Sequence, residues 1–374
     1  DRFSIPQNTL VPTVLELDMS HACNLNCIYC SVNSNDSKDG DRMMRMDFLS
    51  AKSAIDRVIE ASLQTNDPFS VVFIGKGEPT LNWDVLTQCV EYIRTQKSVL
   101  RVEGKTIIVT NGILSSEKAV WLARNINHIA LSWDGDILVQ NTQRPLFQPE
   151  KDGGSYSFVE RTASIFRDEG AFFEIRPTWT KLNVGEMVDF TKKLVAYKPF
   201  CLNYQPLLLA GRGVDLETSR SDAEVFIDNF MKSKDVAKEY GISVVMPSAD
   251  ITRINRKFCH AYEGTGFHLS ANGFLTACEC VFGEDDGLAG KLLTYGKMTE
   301  SGVEIDEDKI SFLKSLRVDV TAGCKDCFVR WHCAGGCLNT HLQACSDPFD
   351  ERKNTECFLT KRIVWETLKR KEAS

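Results

Sequence analysis

The stretch Cys23-Asn24-Leu25-Asn26-Cys27-Ile28-Tyr29-Cys30 places three cysteines at CxxxCxxC spacing near the start of the chain. Three thiolates at this spacing can hold three irons of a cubane cluster, which leaves the fourth iron open. An open iron can bind and reduce a substrate, whereas a cluster that only carries electrons normally has a cysteine on every iron. The spacing therefore indicates chemistry at the cluster, against the alternatives of a zinc site or buried thiols.

The composition is that of an ordinary globular protein. The 374 residues are 43% hydrophobic and 25% charged, and no apolar run approaches the roughly 20 residues needed to span a bilayer. A formal net charge of -7 gives no attraction to nucleic acid or anionic lipid, so we expect neither nucleic acid nor a membrane as a partner. Fourteen cysteines, clustered at CxxC-like spacings without a preceding signal peptide, favour metal ligation in a reducing cytoplasm over disulfides.

Apolar runs rich in β-branched residues alternate along the chain with amphipathic runs. The predicted strands are Val11–Asp18, Val71–Gly75, Thr106–Thr110, His128–Ser132, Phe172–Thr178 and Leu202–Pro206. The predicted helices are Met46–Leu63, Trp83–Gln96, Ser116–Asn125, Ser155–Arg167, Val184–Tyr197 and Ser221–Tyr240. This alternation predicts an α/β fold, a parallel sheet covered by helices and either open or curled into a partial barrel. Functional residues should lie at the carboxyl ends of the strands.

The character of the sequence changes after about residue 250. Regular alternation stops there, and Cys, Gly and short segments continue to Phe358, followed by a final amphipathic helix over Thr360–Arg370. The acidic stretches Glu284–Gly287 and Glu304–Asp308 predict solvated loops or helix faces. The sequence therefore predicts a larger domain over residues 1–250 and a smaller one over residues 251–374.

The first motif, with Tyr29 before its last cysteine, resembles the hallmark of the radical S-adenosylmethionine (SAM) enzymes, carried here by Cys23, Cys27 and Cys30. The resemblance covers nearly the whole chain. It implies a partial (β/α)6 barrel in which SAM binds the open iron of a 4Fe-4S cluster and is cleaved reductively to a 5'-deoxyadenosyl radical. That radical would abstract a hydrogen from the substrate. The resemblance also implies a reducing electron donor such as flavodoxin or ferredoxin.

The stretch Gly75-Lys76-Gly77-Glu78-Pro79 follows the second predicted strand and resembles the family's GGEP loop, which contacts the amino group of SAM. Glycine allows close backbone approach, Glu78 can accept a hydrogen bond from an ammonium group, and Pro79 stiffens the turn. Lys76 replaces the usual first glycine and adds a cation near the cofactor. We therefore assign SAM binding to Gly77, Glu78 and Pro79.

Further SAM contacts are predicted where later strands end. Asn111 follows the third strand, and Ser132 belongs to Ser132-Trp133-Asp134-Gly135, which resembles the family's S-x-D-G segment. Arg144 and Arg176 either pair with the carboxylate of SAM or serve as structural salt-bridge partners.

Seven cysteines of the second part match the order and spacing of the SPASM extension, named for the subtilosin, pyrroloquinoline quinone, anaerobic sulfatase and mycofactocin maturation enzymes. They are Cys259, Cys278, Cys324, Cys327, Cys333, Cys337 and Cys357. The resemblance implies two auxiliary 4Fe-4S clusters, and hence three clusters in all. Two structural zinc sites are the alternative.

The family pattern divides these cysteines between the two auxiliary clusters. One set consists of Cys324, Cys327, Cys333 and Cys357. The other consists of Cys259, Cys278 and Cys337, which leaves one iron without an assigned ligand. Cys280 and His260 are the candidates for that position. If neither binds, the open iron could accept a substrate thiolate or another donor.

No catalytic acid or base can be chosen from the sequence, because carboxylates at strand ends, such as Asp18 and Glu174, are equally good structural groups. Asp18 is a candidate because it lies close to the first motif, although it could only orient that loop. Cys345 is a candidate hydrogen-atom donor. Cys345, like Cys89 and Cys201, is otherwise interpreted as a core or structural thiol, since unpaired cysteine is among the most buried residue types.

The SPASM resemblance predicts hydrogen abstraction from a peptide or protein side chain, leading to oxidation or cross-linking. The stretches 141–145 and 153–158, which resemble a segment of peptide- and protein-modifying members, support it. A dehydrogenase or epimerase of a small metabolite, such as an aminocyclitol or sugar, is the alternative enzyme. An iron–sulfur carrier or metal-stapled binding protein is a third class. About twenty residues precede Cys23, so recognition of a leader peptide would need a separate protein, the barrel itself or further N-terminal sequence.

Overall fold

The computed structural model describes residues 10–32, 43–148, 154–216, 219–299, 302–344 and 355–372. These residues form one mixed sheet with helices packed against it. The strands are β1 (Val14–Asp18), β2 (Phe69–Ile74), β3 (Gly104–Thr110), β4 (His128–Leu131), β5 (Phe173–Ile175), β6 (Cys201–Asn203), β7 (Ser243–Val245), β8 (Gly266–Leu269), β9 (Phe274–Thr276), β10 (Thr294–Thr299) and β11 (Gly302–Ile305).

The helices lie between and after these strands. They are α1 (Phe48–Thr65), α2 (Trp83–Leu100), α3 (Ser116–Asn125), α4 (Ile137–Gln143), α5 (Ser155–Asp168), α6 (Met187–Leu194), α7 (Arg220–Lys238), α8 (Gly287–Leu293), α9 (Glu307–Ser315), α10 (Arg330–Cys333), α11 (Leu338–Ala344) and α12 (Thr355–Glu372).

Strands β1 to β7 lie side by side in chain order, and each is parallel to the next. Parallel pairing requires a crossover between strands, and helices provide most of these crossovers. This arrangement confirms the predicted α/β partial barrel, and α3 has the predicted bounds. The sequence did not predict β7 or α4, because three and seven residues are too few to show a repeat.

The sheet continues beyond β1 with strands from the cysteine-rich part. β8 pairs in parallel with β1, and β8 to β11 then pair with one another as antiparallel neighbours. Glu304 lies in β11, so the expectation of a loop or helix face at that residue is wrong. The sheet runs across residue 250, and the division into two domains at that residue stays a prediction.

Helix α1 shows how capping residues and apolar spacing determine the bounds and the buried face of a helix. The side chain of Asp47 caps its start by accepting a hydrogen bond from the amide N of Ser50 at 2.9 Å, and Asn66 ends it in the left-handed conformation, with φ 60°. Between these ends, Ile55 and Val58 belong to a fully buried face that contributes to the core beneath the sheet. The capping residues therefore set both ends of the helix, each two residues after the end predicted from apolar spacing.

Two cysteines outside the predicted cluster sets are core groups. Cys89 in α2 and Cys201 in β6 are only 0% and 5% exposed, which confirms their interpretation as core thiols. Cys345 lies outside the described residues. No cysteine within the described ranges forms a disulfide. In the same ranges no helix has the length and apolar character needed to cross a membrane.

Candidate cofactor site in the barrel

The loop over residues 23–30 leaves the carboxyl end of β1, where the sequence placed it. The segment after α4 pairs with this loop. The amide N of Ile28 donates to the carbonyl O of Gln143 at 2.9 Å, and the amide N of Asn26 donates to the carbonyl O of Pro145 at 2.8 Å. The segment that resembles part of the peptide-modifying enzymes therefore shapes the cysteine loop, while its residue 153 lies outside the described ranges.

Arg212 holds the other side of the same loop. Its Nε donates to the carbonyl O of Cys27 at 3.0 Å, and its Nη1 donates to Oδ1 of Asn26 at 2.8 Å. Its amide N donates to the carbonyl O of Cys30 at 3.0 Å. The sequence analysis missed this residue, which lies 185 positions after Cys27. The available signal was the Gly-Arg-Gly stretch shortly after β6.

Asp134 is the centre of a buried hydrogen-bond network beside the cysteine loop. Its carboxylate accepts from Tyr29 Oη at 2.5 Å, from Gln143 Nε2 at 2.9 Å and from the amide N of Thr178 at 2.9 Å. The guanidinium of Arg144 binds both carboxylate oxygens, with Nε at 2.8 Å and Nη2 at 3.1 Å. Arg144 therefore has the structural salt bridge that was one of its two predicted roles. Asp134, which the sequence analysis did not single out, fixes its position.

The glycine-rich loop after β2 packs directly on the backbone that precedes the cysteines. The amide N of Gly77 donates to the carbonyl O of Ser20 at 2.8 Å, and the amide N of Glu78 donates to the carbonyl O of Ala22 at 2.8 Å. A Cβ on Gly77 would lie 1.9 Å from that Ala22 oxygen. The loop therefore needs glycine at this position because no side chain fits.

The carboxylate of Glu78 is buried and already bound by protein groups. It accepts from Thr80 Oγ1 at 2.7 Å, from Thr110 Oγ1 at 2.8 Å and from the amide N of Asn111 at 2.8 Å. Burial raises the pKa of Glu78, and these hydrogen bonds reduce the rise. Glu78 thus ties the loop to the end of β3, and an ammonium ligand would have to share a carboxylate that is already bound. Pro79, also buried, begins the short turn that follows.

Asp18, the catalytic candidate at the end of β1, is fully buried and joins three parts of the chain. Its carboxylate accepts from His21 Nε2 at 2.7 Å and from the amide N atoms of Lys76 and Ala271, each at 3.0 Å. Burial alone would raise the pKa of Asp18, but the hydrogen bond and charge of His21 lower it overall. These contacts support an orienting role. The ammonium of Lys76 lies 5.2 Å from the ring centroid of Phe282.

One cavity of about 320 Å³ brings most of the predicted cofactor residues together. Its lining includes Cys23, Cys27, Cys30, Gly77, Glu78, Asn111, Ser132 and Arg144. Pro79 and Arg176 are not among its lining residues in the described part of the chain. The Nε of Arg176 lies 3.9 Å from Glu174 Oε1, which fits its structural alternative.

The same cavity reaches Glu279 and Cys280 of the cysteine-rich part. The sheet explains this connection. β8 is parallel to β1, so Cys259, which precedes β8, lies toward the amino end of the parallel strands. β9 returns antiparallel to β8, so Cys278 comes back to that same end. The cavity therefore extends from the first cysteine motif, at the carboxyl ends of the strands, toward a second group of cysteines.

Glu279 presents a partly buried carboxyl group to this cavity. Burial and the nearby carboxylate of Glu16 raise the pKa of Glu279 to about 7. Glu16 lies in the middle of β1, and its Oε1 is 3.4 Å from Nε2 of His260. The sequence analysis missed both carboxylates. Their signals were a charged residue inside an otherwise apolar strand and the Cys-Glu-Cys stretch at 278–280.

Four cysteines of the C-terminal part interact with one another. Cys333 interacts with Cys324 and Cys357, and Cys357 also interacts with Cys327. Lys361 of α12 contributes a nearby positive charge and hydrogen-bonds Cys357. These four thiols, joined by Cys337, line one pocket. The structure therefore brings together the set predicted for one auxiliary cluster.

A second group forms around Cys278. Its thiol hydrogen-bonds the thiol of Cys280 and interacts electrostatically with Cys337. Cys337 interacts with Cys280 as well. Cys259 precedes a short turn, His260–Glu263, at the amino side of β8. The candidate ligand Cys280 thus lies with two members of the predicted set, whereas His260 is paired with Glu16.

The donor chemistry of these groups fits iron–sulfur clusters. Thiolates are the ligands of 4Fe-4S clusters. One cavity is lined by Cys23, Cys27, Cys30 and Cys280, and another by Cys324, Cys327, Cys333, Cys337 and Cys357. No three His, Cys, Asp or Glu side chains among the described residues are arranged to hold a single metal ion. Burial raises the pKa of Cys27 and of Cys337 to about 11, so iron binding there would release protons.

Comparison with known families shows what this part of the chain resembles. The model described as the Radical SAM superfamily matches residues 17–136, which include the cysteine loop, the glycine loop and Asp134. Residues 17–136 therefore match a Radical SAM domain, as the cysteine motif predicted. The chain is 29% identical over 185 residues to the uncharacterized protein MJ0907 of Methanocaldococcus jannaschii, covering 49% of the chain and 58% of that relative. The chain thus spans less than two thirds of the length of MJ0907.

Similarity to other proteins extends through the cysteine-rich part. The chain is 23% identical over 360 residues to the radical SAM cyclopropyl synthase TigE of Paramaledivibacter caminithermalis, covering 87% of the chain and 67% of TigE. The structure of native anSMEcpe with bound AdoMet has a TM-score of 0.72 at 20% identity and covers 96% of this chain and 97% of that one. Streptococcus suis SuiB bound to S-adenosylmethionine has a TM-score of 0.60 at 16% identity and covers 92% and 77%. The predicted radical SAM fold is confirmed over nearly the whole chain.

Proposed function

We propose that this chain is a radical SAM/SPASM enzyme that cleaves SAM reductively and abstracts a hydrogen from a peptide or protein side chain, leading to oxidation or cross-linking. The observation that carries the proposal is the cavity that connects the three-cysteine loop to the 278–280 segment. A substrate in this cavity would lie between a site for the radical and a second thiol-rich site that can receive electrons.

Residues at the first end of the cavity would hold the cofactors. Cys23, Cys27 and Cys30 would ligate a 4Fe-4S cluster, and the bound cluster and SAM together supply a 5'-deoxyadenosyl radical. Gly77 lets the glycine loop pack against the Ala22 backbone and lines the same cavity. Asn111 and Ser132 present polar groups from the ends of β3 and β4 to the same space.

Residues at the second end would complete the oxidation. Loss of a hydrogen atom leaves a substrate radical, which must lose one more electron and a proton to form a two-electron product. The electron would pass to the auxiliary cysteine groups, for which we propose two 4Fe-4S clusters. The proton would pass to Glu279, because it is the carboxyl group of the 278–280 segment that faces the cavity.

Relatives of this chain favour a peptide over a small metabolite. Native anSMEcpe has been solved with AdoMet and the Cp18Cys peptide, and SuiB has been solved with the precursor peptide SuiA. TigE is named as a cyclopropyl synthase. We therefore propose a peptide or protein substrate, with a reducing donor such as flavodoxin or ferredoxin, a separate recognition protein where a leader peptide is read, and a cytoplasmic location.

The proposal is tested by anaerobic reconstitution, an iron and sulfide count, and an assay of reductive SAM cleavage to 5'-deoxyadenosine. We expect about twelve irons per chain from three 4Fe-4S clusters, with cleavage that requires a strong reductant. A count near four would overturn the two auxiliary clusters. Absence of 5'-deoxyadenosine from fully loaded protein would overturn the enzyme assignment.

Glu279 gives a test of the oxidation step. In Glu279→Gln we expect formation of 5'-deoxyadenosine to continue while oxidised peptide product falls by about 100-fold, the lower end of the usual effect of losing a general base. Deuterium transfer from labelled peptide into 5'-deoxyadenosine separates the two steps. Glu284→Gln, on the exposed loop of the same segment, is the control and should retain product formation.

A further inference from the structure

The second cysteine group lacks one ligand of the pattern that the resemblance implies. Cys259, Cys278 and Cys337 supply three thiols for an auxiliary cluster, and no cysteine occurs between His260 and Gly266. A 4Fe-4S cluster needs a fourth ligand unless one iron stays open. The identity of this fourth group decides whether the cluster can bind a substrate atom.

Cys280 lies where a fourth ligand is needed. It hydrogen-bonds Cys278 and interacts with Cys337. A tight turn creates this geometry: the amide N of Val281 donates to the carbonyl O of Cys278 at 3.0 Å. Thr276 Oγ1 fixes the turn through hydrogen bonds to the carbonyl O atoms of Cys278, at 2.9 Å, and Val281, at 3.0 Å. The chain therefore folds Cys280 back beside Cys278.

His260, the other candidate, is held on a different side. Its Nε2 lies 3.4 Å from Glu16 Oε1 on β1. Its ring also fills the space in front of Gly266, where an added Cβ would lie 1.9 Å from His260 Cδ2. The ring is thus packed between β1 and the start of β8, and an ion pair with Glu16 competes with any role as a metal ligand.

We propose that Cys280 is the fourth ligand of the auxiliary cluster held by Cys259, Cys278 and Cys337. This inference rests on the proposed function, which supplies the cluster. Because Cys280 also lines the cavity, a cluster that it ligates would adjoin the substrate space. A cluster closed by four thiolates would accept electrons from this space without binding a substrate atom.

The test uses the full chain with Cys23, Cys27 and Cys30 replaced by alanine, so that the SAM-binding cluster and its open iron are absent. Cyanide, a small ligand for open iron sites, is added to the reduced protein, and the EPR spectrum is recorded before and after. With Cys280 intact we expect no change. With Cys280→Ala added we expect cyanide to shift the spectrum of one cluster. Cys89→Ala, at a buried thiol in α2, is the matched control and should behave like the parent variant.

A cyanide-dependent shift while Cys280 is intact would overturn the proposal, and so would an unchanged response after Cys280→Ala. Where Cys280→Ala loses about four irons, reconstitution with methanethiol decides: recovery of the iron supports ligation, and failure to recover it overturns the proposal. Reductive SAM cleavage by the wild-type chain is measured in parallel. Active cleavage with an adverse cyanide result rejects only the ligand assignment, whereas absent cleavage rejects the proposed function.

Discussion

The cysteine loop after β1 and the cysteine group of residues 324–357 are built in opposite ways. The first holds three thiols within eight residues and opens onto a cavity of about 320 Å³. Its shape comes from distant segments, through Asp134 and Arg212. The second gathers its thiols from a longer stretch, and cysteines with neighbouring glycines make up most of its lining.

This difference separates two uses of the same side chain. Three thiols beside a large cavity leave room for a ligand on a cluster, whereas a pocket surrounded by cysteines favours a closed cluster that only passes electrons. The number of cysteines therefore indicates how many irons are ligated by the protein, and the free space beside them indicates whether a ligand can bind. The following changes test that division, from the largest expected effect to the smallest.

Removing cysteines from the two regions should have unequal effects on SAM cleavage. Replacing Cys23, Cys27 and Cys30 with alanine should abolish 5'-deoxyadenosine formation and lower the iron content by about four. Replacing Cys324 and Cys327 with alanine should lower iron by a similar amount while SAM cleavage continues. Iron analysis and the cleavage assay check both. Persistent cleavage in the first variant would contradict the comparison.

Loss of Asp134 should destabilise the cysteine loop most strongly among single changes. Asp134→Ala leaves the buried guanidinium of Arg144 without its carboxylate, which costs about 3–5 kcal/mol in comparable buried pairs. Denaturant unfolding measures this cost. The control Asp168→Ala removes an exposed pair with Arg167 and should change stability by less than about 0.5 kcal/mol. Equal effects of the two changes would show that the network does not stabilise the loop.

Adding one methyl group at Gly77 should weaken SAM binding. Its Cβ would meet the Ala22 carbonyl oxygen, so the glycine loop must shift away from the cysteine loop. We expect about tenfold weaker SAM binding, or about 1.4 kcal/mol, measured by equilibrium dialysis of the reconstituted protein. At Gly185 a Cβ would meet no atom within 4 Å, so Gly185→Ala should bind SAM normally. Unchanged affinity in Gly77→Ala would argue against close packing of the two loops.

The smallest effect is expected at the start of α7, which packs against the Cys357-bearing helix α12. Ser219 and Asp222 form a capping box there, and Ser219→Ala should cost about 1 kcal/mol. Hydrogen bonds from Ser219 lower the pKa of Asp222. The stabilisation is therefore present above the unfolded pKa and is lost as pH falls through the lower folded pKa.

Unfolding curves at several pH values check the capping box. The difference in the free energy of unfolding between wild type and Ser219→Ala should have its maximum value at pH 7. It should shrink below about pH 4, near the ordinary pKa of aspartate. A difference that grows on acidification would contradict this sign. SAM cleavage should stay unchanged in this variant.

Local patterns predicted the parallel half of the fold well. Alternating apolar runs placed β1 to β6 within a few residues, and the caps and apolar spacing of α3 fixed both its ends. Most of the cofactor residues predicted from motif spacing line the cavity, including Gly77, Asn111 and Ser132. These signals are visible in sequence because a strand or a tight loop imposes its requirements on neighbouring residues.

Residues defined by long-range contact were not predictable in this way. Asp134 and Arg212 became important only when folding brought them to the cysteine loop. Glu279 acquires a place in the cavity because β9 runs back along β8. Short strands such as β8 and β9 escaped notice because four or three residues show no clear period.

The sequence by itself determined which chemistry is available to this protein. Cysteine spacing and the glycine-rich loop depend on nearby residues, so the resemblance to radical SAM enzymes is visible before any folding is known. The tertiary structure decided which groups share a space. β8 joins β1 in parallel and β9 returns antiparallel to β8, and these two pairings bring the 278–280 segment to the cavity of the first motif. The physical reason is that a sheet edge pairs through backbone hydrogen bonds, which side-chain spacing does not reveal.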